Sequence, residues 1–183
     1  MSNSVAKVFA AIIAIVLLFI WPVSSALNKQ DDISEIVVLN SVTHYVDSVR
    51  DKGYITPTMY TEFVDQIALT GNIFDIQMVH RHKRYDPIYS DDGVFQGGYN
   101  VNFEEFYNAQ FHEKLFPRNS SEPVDSPNRI YKFATGDFFD VTVKNTNRTM
   151  GTLMNDFLTG SINSPNEKIV IPYGGMVLNE DYN

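Results

Sequence analysis

VFAAIIAIVLLFIWPVSSAL, residues 8–27, decides how the rest of the chain is read. It holds no charged side chain, and every residue but Pro22, Ser24 and Ser25 is apolar or small. Its twenty residues, rising about 1.5 Å each, make a helix of about 30 Å, the thickness of a bilayer's hydrocarbon core. Val8, Ile12, Ile15 and Leu18 would line such a membrane anchor, and Trp21 suits the interface near its outer end. Residues 1–7 carry only Lys7, while Lys29, Asp31 and Asp32 follow the segment. The expected topology is therefore a short cytoplasmic N-terminus, a membrane helix over 8–27, and a domain over 28–183 outside the cytoplasm. That makes a single-pass protein of the cell membrane.

A signal peptide is the alternative, because Val23-Ser24-Ser25-Ala26 offers small residues for cleavage after Ala26. The apolar run is longer than the usual h-region of about 7–15 residues, which favours a retained anchor. Either way the remaining chain leaves the cytoplasm.

The whole chain has 183 residues, 14 Lys plus Arg against 22 Asp plus Glu, and no cysteine. That length is one domain's worth. Lack of cysteine excludes disulfide scaffolds, Cys-zinc sites and thiol nucleophiles. Beyond Leu27 the balance is 13 basic to 22 acidic residues, net −9, so a nucleic-acid partner is not expected.

Outward from the anchor, Val38, Val42, Tyr45, Val46 and Val49 recur at helical spacing up to Gly53. No Gly or Pro lies between Val23 and Gly53, so this helix is expected to continue the membrane helix, bent at Pro22. Thr56-Pro57 opens a second helix with Tyr60, Phe63, Val64 and Ile67 on one face, stopped at Thr70-Gly71. Residues 73–83 alternate as a strand ending in His80-Arg81-His82-Lys83-Arg84. Tyr85-Asp86-Pro87, Ser90-Asp91-Asp92-Gly93 and Gly97-Gly98 read as turns. A third helix is predicted over 103–115, with Asn102 as cap and Glu105 completing a capping box.

A polar loop over 117–128 precedes strands at 130–134 and 138–144, set around the turn Thr135-Gly136-Asp137. A short helix then carries Met150, Leu153, Met154, Phe157 and Leu158 on one face, ending at Thr159-Gly160. A last strand covers 168–171, and Gly174-Gly175 turns the chain. The closing residues 171–177 are expected to pack on the core rather than to form an edge for a neighbour's strand. The expected fold is α+β: a long N-terminal helix, then a small head with an antiparallel sheet and short helices.

Candidate chemistry is sparse. His80 and His82 would share one strand face, a spacing some metal sites use, with His44, His112 or a carboxylate as third ligand. Flanking Arg81, Lys83 and Arg84 oppose a dication and read instead as a patch for an acidic partner. The acidic turn 86–93 lacks EF-hand spacing. Glu104-Glu105, or Asp137 with Asp140, are conceivable acid–base pairs, but a helix's first turn already accounts for the two glutamates. No G-x-S-x-G, H-E-x-x-H, G-x-x-x-x-G-K-[ST] or S-x-x-K occurs, so neither an enzyme nor a cofactor is expected. Asn119-Ser120-Ser121 and Asn147-Arg148-Thr149 match the glycosylation sequon.

Several segments together resemble a family of uncharacterised single-pass exported proteins of Gram-positive bacteria, associated with Tad/Flp-type pilus or secretion-machine components. They are Gln30-Asp31-Asp32-Ile33, Val46-Asp47-Ser48-Val49-Arg50 with Gly53-Tyr54-Ile55-Thr56, Thr70-Gly71-Asn72, Gly136-Asp137-Phe138-Phe139, residues 141–147, and Tyr173-Gly174-Gly175-Met176. The resemblance implies a pilin-like subunit, with a helix in the membrane and a small head outside. Type IV pilins carry a basic-Gly cleavage site before the apolar helix and a Glu at its fifth mature position, and this chain has neither. An accessory or assembly role is thus expected, with the bilayer and protein subunits of an envelope machine as partners. The alternative is an exported ligand-binding module released by signal-peptide cleavage.

Overall fold

A computed structural model describes residues 2–118, 121–161 and 164–181. The fold is α+β, as expected. It consists of a long helix followed by a head of antiparallel strands and short helices.

The first helix, α1 (Ser2–Lys52), is continuous through Pro22. It is long and apolar enough to cross a membrane. Its two halves differ in kind. Ahead of Val23 the large apolar side chains other than the half-buried Ile20 lie exposed, whereas Val38, Val42, Tyr45, Val46 and Val49 are buried in the head. This is the predicted stripe, and it forms one wall of the core.

Gly53 ends α1 with φ of 74°, a left-handed conformation that glycine adopts without strain. Close approach requires glycine as well, since a Cβ there would lie 2.1 Å from the carbonyl oxygen of Asn179. The C-terminal segment caps the helix end, with Leu178 N–H donating to Arg50 O and Asp181 N–H to Lys52 O.

Next, β1 (Tyr54–Ile55) leads into α2 (Pro57–Ala68), whose N-cap Thr56 accepts from Met59 N–H at 3.2 Å. Phe63 and Ile67 of α2 are buried, and Phe63 stacks on Tyr45 with ring centres 4.5 Å apart. The main sheet has the order β3-β2-β5-β6, every pair antiparallel. Its members are β2 (Phe74–Tyr89), β3 (Phe95–Tyr107), β5 (Phe138–Asn145) and β6 (Val170–Met176). Along β5, Phe139, Val141, Val143 and Asn145 point inward in strict alternation. Asn145 holds the loop before β6 by accepting from Lys168 N–H and Ile169 N–H and donating to the carbonyls of Asn147 and Asn166.

Four sequence expectations are corrected. Residues 103–115 are not one helix: β3 runs through Tyr107, and only α3 (Asn108–Leu115) is helical. Asn102 is not a cap, because it pairs with Arg84 across β2–β3 and donates to Asp86 at 2.6 Å. Glu104 and Glu105 therefore lie on a strand, not in a helix's first turn. Second, Tyr85-Asp86-Pro87 and Gly97-Gly98 lie inside β2 and β3, and only the turn at Ser90–Gly93 stands. Third, the strand expected at 130–134 shrinks to β4 (Tyr131–Lys132) after a 3-10 turn (Pro127–Arg129), and it pairs with β1 rather than β5. The last strand likewise starts later, at Val170, and includes Gly174 and Gly175, which leave room for Asp140 and Arg50. That strand is an edge, yet it seats Ile171 in the core, with Val177 buried just beyond it.

The predicted fourth helix is present as α4 (Met150–Thr159), capped by Thr149 and ended by Gly160 in the left-handed region. Of the two sequons, Asn119 and Ser120 lie outside the described residues. Asn147 is engaged, accepting from Ile73 N–H at 2.7 Å and donating to Asn72 at 3.1 Å.

Candidate functional site

Two features stand out: a buried histidine–aspartate cluster and an exposed aromatic arm. Both arise where β2 outruns β5. The last β2–β5 pair is Arg81 with Phe138, so Lys83 finds no backbone acceptor on β5. The Asp137 carboxylate supplies one, accepting from Lys83 N–H at 3.0 Å and from Ala134 N–H at 2.8 Å.

Period-2 alternation places His80 and His82 on the same face as that carboxylate. His80 Nε2 lies 2.8 Å from Asp137 Oδ2 and its Nδ1 lies 2.9 Å from Tyr131 Oη. His82 Nδ1 lies 2.9 Å from Asp137 Oδ1. One proton arrangement satisfies all of these contacts. Tyr131 O–H donates to His80 Nδ1, while His80 Nε2–H and His82 Nδ1–H donate to the carboxylate. Burial, with the nearby Asp137 charge, holds the Tyr131 hydroxyl well above its ordinary pKa, so it keeps the proton it donates. Burial lowers the His80 pKa against the opposing pull of Asp137, so a neutral imidazole is favoured. Burial also pushes the Asp137 carboxyl upward, but its bonds from His82, the Ala134 and Lys83 amides and His80 together leave it below the usual range.

His80 and Asp137 are buried, and the His80 ring sits among Phe106, Tyr131 and Phe133. His82 is the half-buried member. Its Nε2 has no hydrogen-bond partner among the described residues and borders an open cleft of about 880 Å³, lined also by Phe106, Gln110, Lys114 and Tyr131. The donor atoms of His80, His82 and Asp137 lie within 4.8 Å of one another, close enough to hold a divalent ion. The expected third ligand is thus a carboxylate, since His44 and His112 are exposed and take no part in this cluster. Asp140 is not paired with Asp137 in an acid–base couple: it binds Arg81 at 2.6 Å.

The predicted basic patch is largely neutralised from within. Arg81 pairs with Asp140, Arg84 pairs with Asp86 at 2.9 Å, and the Lys83 ammonium sits 5.1 Å from the centre of the Tyr85 ring.

Beyond Arg81 the strands β2 and β3 continue as a two-stranded arm with no further sheet partner among the described residues. Cross-strand pairs share a face, and Lys83↔Phe103, Tyr85↔Val101, Pro87↔Tyr99 and Tyr89↔Phe95 all lie on one. The other face pairs His82↔Glu104, Arg84↔Asn102 and Asp86↔Asn100. The arm is therefore amphipathic, and Tyr85, Tyr89, Phe95, Tyr99, Val101 and Phe103 are exposed along its apolar side.

Sequence reasoning missed this arm because it read its two strands as turns and a helix start. The signal was present in Tyr99-Asn100-Val101-Asn102-Phe103, whose alternation is strand-like. Asp137 and Tyr131 were not singled out as partners of His80, and only the fold brings them together. No family model matches the chain, and no curated protein and no solved structure matches it either.

Proposed function

We propose that this protein is a non-enzymatic, single-pass membrane-anchored component of an envelope assembly, pilin-like in build and accessory in role. The observation that carries the reading is the apolar arm. Exposed apolar surface on a hairpin that, beyond the contact of Phe103 with Phe138 at its base, has no further sheet partner among the described residues marks a protein-docking site. The uninterrupted α1 supports the anchored part of the reading, because the head is built on the same helix that is apolar enough to cross a bilayer. The resemblance to exported pilus-associated proteins rests on the segments quoted above. In this reading residues 8–23 serve the membrane or a neighbouring helix, and the arm engages a protein subunit.

The chain lacks cysteine, so Tyr99→Cys provides a single cross-linking position on the native background. The expected result is an intact N-terminus in the membrane fraction, a head open to external protease, and cross-links from position 99 to one defined protein. A mature chain starting at Leu27, recovered from the medium as a monomer without cross-links, overturns the reading.

The cleft beside His82 favours a second reading, an exported ligand-binding module. Its volume of about 880 Å³ suits a small ligand meeting Phe106, Lys114 and the free imidazole nitrogen. The same cleaved, soluble chain would support it.

A further inference from the structure

Helix α4 is built inside out. Gly151, Thr152 and Asp156 form its buried face, while Met150, Leu153, Phe157 and Leu158 are exposed, Phe157 by 75%. A surface helix of a water-soluble domain presents the reverse. No charged side chain lies on the exposed face of α4.

The buried face packs on α1 immediately past the apolar segment. Thr149 Oγ1 donates to Asp31 at 2.6 Å, and a Cβ on Gly151 would meet Asp31 at 2.3 Å and Asn28 at 2.9 Å. Asn155 Nδ2 then reaches Asn28. As α4 advances, its partners on α1 thus step back from Asp31 to Asn28, so α4 runs down toward the apolar half. On the same course Phe157 lies about 3 Å further along, near the level of Ala26 and Leu27. In agreement, Ser24, Ser25, Leu27 and Asn28 are half-buried on a stretch of α1 that is otherwise exposed.

We propose that α4 is an interfacial helix, whose face of Met150, Leu153, Phe157 and Leu158 lies in the headgroup boundary of the bilayer that α1 crosses. This rests on the reading of α1 as a membrane helix. The occupant is lipid because the apolar face sits at the height where α1 leaves its own apolar segment. With no cation on that face, apolar burial alone holds it there, without a need for anionic lipid.

The test uses the full chain, reconstituted in phosphatidylcholine vesicles, with an environment-sensitive fluorophore on Phe157→Cys or, separately, Leu18→Cys. Both side chains are exposed in the head-and-helix structure, so neither change disturbs packing. The expected result is a blue-shifted Phe157 label that loses most of its emission to a quencher carried on lipid and is shielded from aqueous iodide. A Phe157 label open to iodide, with Leu18 quenched by lipid, overturns the interfacial helix and leaves the anchor standing. A Phe157 label shielded from iodide but untouched by lipid quencher assigns the face to a protein neighbour and also overturns it. If neither position meets lipid, the anchor and the interfacial helix fail together.

Discussion

Thr149 and Asp31, separated by 118 positions in sequence, share a hydrogen bond of 2.6 Å that fastens the start of α4 to α1. Asp31 also accepts from the Lys168 ammonium at 2.9 Å, and it is almost wholly buried for a residue so close to the apolar segment. The joint depends on the missing side chain of Gly151. Gly151→Ala would gain about 1 kcal/mol of helix propensity, but its Cβ would stand 2.3 Å from Asp31 Oδ2, and such overpacking costs about 1–3 kcal/mol. The expected outcome is a net loss of stability, read by urea unfolding of the full chain in detergent; a more stable variant would refute the close approach.

Asp137→Asn removes a buried charge that four donors share. Its amide cannot accept all of them. The variant is expected to lose about 1–3 kcal/mol, the cost of leaving a buried donor without its acceptor. Unchanged denaturation midpoints would mean that the cluster contributes nothing to the fold.

The same cluster sets a pH dependence. His80 titrates lower in the fold than in the unfolded chain, so its contribution is complete above an ordinary imidazole pKa of about 6.5 and is lost as pH falls through the folded value. Asp137 is also lowered, and its contribution goes at more acidic pH, below the ordinary carboxylate range. Stability measured from pH 8 downward should begin to fall near pH 6.5. His80→Gln should flatten that first limb and keep the acidic one. A rise in stability on acidification would contradict a neutral His80.

On the arm, Tyr99→Glu combined with Val101→Glu should separate stability from docking. Both side chains are exposed on an isolated hairpin, so unfolding should move by less than about 0.5 kcal/mol each. Partner cross-links should disappear. If they persist at wild-type yield, the arm is not the contact.

Arg81→Ala is expected to matter little. Its pair with Asp140 has both side chains more than a third exposed, and such bridges are worth about 0.2–1 kcal/mol. Thermal unfolding at low and high salt checks this.

How far the fold could be read from sequence depended on whether local patterns had a rival. The stripe of Val38, Val42, Tyr45, Val46 and Val49 fits only one period, and α1 buries it as expected. Thr56-Pro57 is similarly unambiguous, and α2 begins there. Phe103, Phe106, Tyr107 and Phe111 satisfy a helical spacing, while Tyr99, Val101 and Phe103 satisfy a strand. Pairing with β2 decides the matter by holding Asn102 opposite Arg84. In α4 the helix was legible but the direction of its apolar face was not, because that depends on Asp31 and Asn28, more than a hundred residues away. Of the candidate site, the shared face of His80 and His82 followed from alternation. Asp137 and Tyr131 joined them only through the turn before β5 and the short β1–β4 pair.

The unbroken course of α1 through 51 residues, about 77 Å at 1.5 Å per residue, makes it a shaft rather than a tether. Torque applied at the arm turns the apolar half through the same angle, and tilting the head tilts that half with it. Mechanical load on the head is thereby delivered to whatever surrounds residues 8–27, with no slack chain between to absorb it.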